Sequence, residues 1–370
     1  MNKKLWFLLV SVLLVVAFAV VIPCLWSGEM PAAGNYQVLG AIHHGNLTIF
    51  PVVSGHSHNA GQFLTLDEGL RSGEVIVSES GNVSPLVRPR HDHPRWEEYQ
   101  HHDGAQVNRL VLVNNSKRPL LLLAGEIVTG GKQDRVIGSD RIVPAESDPI
   151  DLSVFCVEPG RWVGTSAKFN APAASAGYML QPSVRAKAMA DKNQQKVWDE
   201  VGKARMTLSE TVEVSGAAPE VAQTSSYAGV VENRAVQKQV DSVAAPIEHE
   251  YQSVISQLRD RNAVGVVVAV NGEIIWADVF ASPKLLEKYW PKLVRSYAAE
   301  SFAQRTKSDR VNEKAAQEFL DRLQGKREVV ESEPGLYRHT EISGDGFRVF
   351  ELASLLPGTG FDVHFAKMAE

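Results

Sequence analysis

Cysteine is nearly absent from the chain: 370 residues hold two, Cys24 and Cys156. Two thiols cannot build a disulfide framework, and they offer no cysteine cluster for structural zinc, so the fold stands on its core alone. No block of lysine or arginine occurs either, and 38 basic against 43 acidic side chains leave a net charge of -5. Phosphate neutralisation needs a concentrated basic face, so nucleic acid is not an expected partner. No internal repeat at a fixed period stands out, which removes solenoids and propellers. What remains, 44% apolar and 22% charged, is the composition of an ordinary globular protein with a proper core.

One long apolar run is present. Leu5 to Ile22 spans 18 residues with Ser11 as its only polar member, after Lys3 and Lys4 and before Glu29. It exceeds the roughly 7–15 residues of a cleavable signal core and approaches the approximately 20 that span hydrocarbon. The expectation is a membrane anchor, with cleavage near Ala17–Ala19 or near Ala33 as the alternative; the leading lysines put the main body outside the cytoplasm. Lipidation at Cys24 is disfavoured, because Ile22–Pro23–Cys24 lacks the small residues that such processing requires.

Chemistry-bearing residues are densest between Leu120 and Trp162. Four leucines before Ala124 read as a buried strand, and Gly125, Gly130 and Gly131 place Glu126, Lys132, Gln133, Asp134 and Arg135 on turns. Val136 to Val143 and Leu152 to Val157 read as two more strands, the second ending in a turn that carries Glu158, Arg161 and Trp162. These eight residues are the candidate ligand-binding set: arginines fork onto an anionic group and Trp162 stacks. The plainer reading is hairpin chemistry in which the same charges pair with one another. Cys156, between Phe155 and Val157, reads as a buried, inert thiol.

Those segments also carry a likeness. GEIVTGGKQDRVI, VFCVEPGRW and, at Gln194–Trp198, QQKVW resemble the bacterial and archaeal domain called ARG and Rhodanese-Phosphatase-superfamily-associated protein. The resemblance covers about Tyr36 to Met206, and GVVVAVNGEIIWADVF at Gly265–Phe280 is also similar. It implies no assigned activity, cofactor or catalytic residue. The family's name implies genomic company with ADP-ribosylglycohydrolases and phosphatases, hence nucleotide or ADP-ribose chemistry nearby, although neighbourhood does not fix function.

Histidines crowd the first part of the chain, and His91, His93 and Glu97 spell HxHxxxE with Gly104 after it, which resembles the first metal motif of cupin barrels. Pro89 and Pro94 bracket the motif, and no histidine follows His102 until His249, so the set lacks its expected later ligand. A solvated histidine-rich loop is the competing reading. A pH-sensing role is a third.

The expected fold is α+β: an antiparallel, sandwich-like β-rich core over about 36–165, then helices, a hairpin and a β-rich end that pairs back. The hairpin is marked by Asn271–Gly272, whose residues suit a type I′ turn. Val107–Val113 and the run from Leu120 read as a second hairpin turning at Asn115–Arg118. A stripe from Val236 to Leu258 at spacings of three and four marks an amphipathic helix over about 234–261. Ser282 and Pro283 open a further helix, with a kink or break expected at Pro291. The expected organisation is 1–28 signal or anchor, 29–206 β-rich domain, 207–233 flexible connection and 234–370 α+β part. The function expected is a membrane-tethered or exported protein that binds a small anionic or polar ligand, or a protein partner, at the glycine turns. The enzymatic alternative is a hydrolase of nucleotide-like or ADP-ribose-like phosphoesters, with Glu126, Asp134 or Glu158 as base.

Overall fold

A computed structural model describes residues 36–79, 108–171, 177–213, 216, 218–303 and 311–370. The expected anchor, both proposed cleavage positions, Cys24 and the His91/His93/Glu97 motif lie outside those residues. Among the described residues no helix is long and apolar enough to cross a membrane. Residues 36–370 form one compact unit.

A nine-stranded antiparallel sheet joins the two ends of that unit. Strand Leu47–Ser54 pairs with Asn262–Val270, the latter with Glu273–Phe280, and that strand with Asp362–Ala369. Phe347–Ser354, Tyr337–Gly344 and Lys326–Glu333 complete this side. Alternation explains why the sheet is covered on both faces. Along one strand Val266, Val268 and Val270 enter a large core with the helices, while Val264, Val267 and Ala269 enter a second core beneath helix Glu313–Asp321. Asn271 and Gly272 both have positive φ, 54° and 86°, as the expected hairpin turn requires.

Two smaller sheets enclose a third core. One has six strands, from Phe169–Asn170 through Ile150–Cys156 to Val75–Glu79; the other has three, Arg141–Val143, Leu120–Leu122 and Leu64–Thr65. The last two pair in parallel, an exception in an otherwise antiparallel architecture. The leucine run is continuous because both its faces are buried: Leu120 and Leu122 enter this third core, Leu121 and Leu123 the large one.

Four expectations need correction. Val136–Val143 is not one strand: Arg135–Ile137 and Arg141–Val143 belong to different sheets, and the chain changes sheet at Gly138–Asp140. Arg109–Asn114 and Leu120–Leu122 do not form a hairpin but also lie in different sheets. Asn114 Nδ2 donates to Arg118 O and to Pro144 O, each at 2.9 Å, and so fixes the loop that separates them. Residues 207–233 are not a plain linker: helices Ala218–Gln223 and Tyr227–Glu232 occur there and bury Val221, Tyr227 and Val230. Helix Pro283–Glu300 runs unbroken through Pro291.

Candidate functional site

Local sequence signals build the site. Thr65 and Glu68 form a capping box, in which Thr65 N donates to Glu68 Oε2 at 3.0 Å and Glu68 N to Thr65 Oγ1 at 3.3 Å. The box starts helix Leu66–Ser72 so that Asp67 and Glu68 sit in its first turn. Ser282 caps helix Pro283–Glu300, with proline at its first position. Lys288, Lys292 and Arg295 then fall at i, i+4 and i+7 on one stripe. Helix Arg234–Ser256, capped by Asn233, contributes Gln237, Asp241 and Glu248 on a stripe of its own.

Between these helices lies a cavity of about 680 Å³. Its lining includes Asp67, Lys288, Lys292, Arg295, Tyr178 and Gln237. Lys292 is only 1% exposed, and its Nζ donates to Asp67 Oδ2 at 2.6 Å and to Glu126 Oε1. Glu126 also accepts from Leu123 N at 2.7 Å. Burial pulls the Lys292 ammonium down, but Asp67 and Glu126 outweigh it and the net shift is upward. Burial pushes the Glu126 carboxyl up against the pull of Lys292. The two directions agree once stoichiometry is considered: one cation serves two carboxylates, so Lys292 stays charged and Glu126 resists ionising. Nearer the rim, Lys288 Nζ donates to Phe63 O at 2.9 Å and Glu68 Oε2 at 3.0 Å, and Arg295 holds Asp241 at 2.9 Å.

A second ionic cluster lies wholly inside the molecule. His364 Nδ1 meets Asp140 Oδ2 at 2.5 Å and His364 Nε2 meets Asp278 Oδ1 at 3.1 Å. Arg185 Nη1 and Tyr297 Oη donate to Asp278 Oδ2 at 2.9 and 2.5 Å. Burial opposes the imidazolium, but the two carboxylates prevail and raise His364 to about 9. The Leu120–Ile127 stretch ties both clusters together. Ala124 N donates to Asp140 at 2.7 Å, Ala124 O accepts from Arg185 Nε at 2.8 Å, and Glu126 reaches Lys292 two residues later.

The glycine turns expected to hold a ligand do meet in space. Arg161 forks onto Glu158, with Nε–Oε1 at 2.7 Å and Nη2–Oε2 at 2.6 Å, and its Nη1 donates to Gly131 O at 3.1 Å. Asp134 N donates to Glu158 Oε2 at 3.0 Å, Gln133 Nε2 to Glu158 O at 3.0 Å, and Ser226 Oγ to Asp134 Oδ2 at 2.6 Å. Lys132 Nζ stands 5.0 Å from the Trp162 ring centre, and Trp162 is 43% exposed. Arg135 is fully buried, and its Nε and Nη2 have no hydrogen-bond partner among the described residues. Glu126 stands apart from this group, bonded to Lys292 behind the cavity lining. Gln194 spans both backbone groups of Cys156 at 2.8 Å, and burial pushes the Cys156 thiol up.

Sequence reasoning missed Asp67, Lys288, Lys292 and Arg295. The capping box at Thr65 and the basic stripe after Ser282 were the available signals, but each is ordinary for a solvated helix. Among the described residues no group of three or more His, Cys, Asp and Glu side chains is arranged to hold a metal ion.

The architecture is that of an α+β protein with a mixed-charge cavity. The chain belongs to the family of the ARG and Rhodanese-Phosphatase-superfamily-associated Protein domain, whose model matches residues 35–366. The match is longer than the likeness visible in the motifs and takes in the helices that line the cavity. No curated protein and no solved structure matches the chain.

Proposed function

We propose that the protein binds a small polar ligand in the cavity over the Asp67–Lys292 pair, and that residues 5–22 tether or export it so that it acts outside the cytoplasm. The carrying observation is Lys292: a charged side chain buried to 1% in the floor of a cavity of about 680 Å³. That volume falls in the roughly 300–1,000 Å³ range of small-molecule sites, which combine apolar walls with a few converging polar groups. The cavity is preferred to the glycine turns because Glu158, Arg161, Asp134 and Ser226 already satisfy one another there. A ligand at the turns would have to break that set.

A thermal-shift screen of the purified chain against nucleotides, ADP-ribose, sugars and divalent ions tests this reading. A compound that binds the native form alone raises the melting temperature. The expected result is a stabilising compound whose effect is lost in Gln237→Trp, which fills the opening. Absence of any stabilising compound, or an effect that persists in that variant, refutes the reading.

A further inference from the structure

We infer, on the basis of the cavity reading, that the ligand is a neutral, hydroxyl-rich molecule of sugar or nucleoside size, and not the anion that the arginine-bearing turns suggest. The first ground is charge. Four basic lining residues are balanced by four acidic ones, with the Glu126 carboxyl behind them, so the cavity carries no net positive charge to draw in a phosphate. The second ground is pairing. Lys292 is held by Asp67 and Glu126, Lys288 by Glu68, and Arg295 by Asp241 with Glu248 at 3.8 Å. An anion that takes Lys292 from Asp67 and Glu126 leaves a buried carboxylate unpaired, which is unfavourable; at the more exposed Lys288 and Arg295 the same exchange costs less.

A hydroxyl group faces no such conflict. Each ammonium has three N–H donors; Lys288 uses two, which leaves one, and the 1% exposed Lys292 uses two with its Nζ also 4.6 Å from the Tyr289 ring centre. Each neighbouring carboxylate has lone pairs to spare. A hydroxyl accepts from the first and donates to the second with both ion pairs intact. Gln237 Nε2 donates to Tyr178 Oη at 2.5 Å, so the phenol's own proton remains available to an acceptor. Apolar Met179, Val231, Val240, Pro291 and Ala299 are interleaved with these polar groups in the lining. Hydrocarbon beside hydrogen-bonding groups suits a sugar ring, which has hydroxyls at its edge and C–H groups on its face.

The test compares three neutral compounds, ribose, glucose and adenosine, with ribose 5-phosphate, glucose 6-phosphate and AMP, by thermal shift and calorimetry on the full chain. A neutral compound is expected to bind at least about tenfold more tightly than its phosphorylated counterpart. Its affinity is expected to change little between about 0.05 and 0.5 M salt, because no net charge is transferred. Lys288→Met and Glu68→Gln should each weaken it; the glutamine still accepts from Thr65 N, so the helix start survives. If a phosphorylated compound binds more tightly, and Gln237→Trp abolishes that binding, the cavity stands and the inferred ligand class is wrong. If no compound of either series binds, or binding survives Gln237→Trp, the inference falls together with the cavity reading.

Discussion

Lys292 illustrates how one side chain ties stability to function. Its ammonium is, among the described residues, the one cation bonded to the carboxyl groups of both Asp67 and Glu126, so removing it strands charge where water cannot compensate. Lys292→Met should cost about 3–5 kcal/mol, measured by urea unfolding, and adding Asp67→Asn and Glu126→Gln should recover most of the loss. A small effect of the single substitution would mean that water, not lysine, carries the neutralisation. His364 makes the second residue-scale case. Its folded value of about 9 lies above the ordinary 6.5. Its contribution is therefore fully present below pH 6.5 and disappears as pH rises through 9, roughly 3 kcal/mol at about 1.4 kcal/mol per pH unit. Burial pushes Lys367 down from 10.5 to about 7, and this opposes the trend where the two windows overlap, between pH 7 and 9. The informative quantity is thus wild type minus His364→Gln between pH 6 and 9.5, and equal pH slopes for the two proteins would contradict the assignment.

At the scale of elements, the short Leu120–Leu122 strand and the turn after it do more than their length suggests. Leucines facing alternate sides enter two cores, and the next residues clamp Asp140, Arg185 and Lys292. Leu121→Ala should cost about 2–5 kcal/mol and loosen the cavity floor as well, because Tyr289 Oη donates to Leu121 O at 3.0 Å on the helix that carries Lys292. Unfolding in denaturant measures the first effect, and hydrogen exchange at Leu293–Ala299 the second; unchanged exchange would separate strand from floor. Elements with local signatures were legible in sequence. Asn271–Gly272 announced its hairpin, and of the Val236–Leu258 stripe Val236, Val240, Ile247 and Tyr251 are buried. Pairings between distant segments were not. Nothing near Arg109–Asn114 states that the next strand enters another sheet, or that Gly138–Asp140 is a crossing between sheets.

The same limit governed the site. Charges beside glycines at 130 and 160 were readable as a cluster, and they do converge, mostly onto one another. The cavity draws on residues 65–71, 177–179 and 227–299, whose nearness depends on sheet order and helix packing that no local pattern encodes. Whole-molecule topology also overrides the expected division at 207–233. Strand Leu47–Ser54 finds its long partner in Asn262–Val270, and Asp140 finds His364. A fragment of residues 36–206 is therefore expected not to fold alone, by circular dichroism and amide dispersion in NMR. A cooperative, native-like fragment would show that the first half has a sufficient core of its own.

The most direct measurement is a crystal structure of the protein soaked with the strongest stabilising compound from the thermal screen. The account predicts the compound between helices Arg234–Ser256 and Pro283–Glu300, in contact with Lys288, Lys292 and Asp67, with the Arg161–Glu158 pair undisturbed. A compound seated instead at the Gly130 and Gly160 turns, against Trp162 with that pair opened, would contradict it.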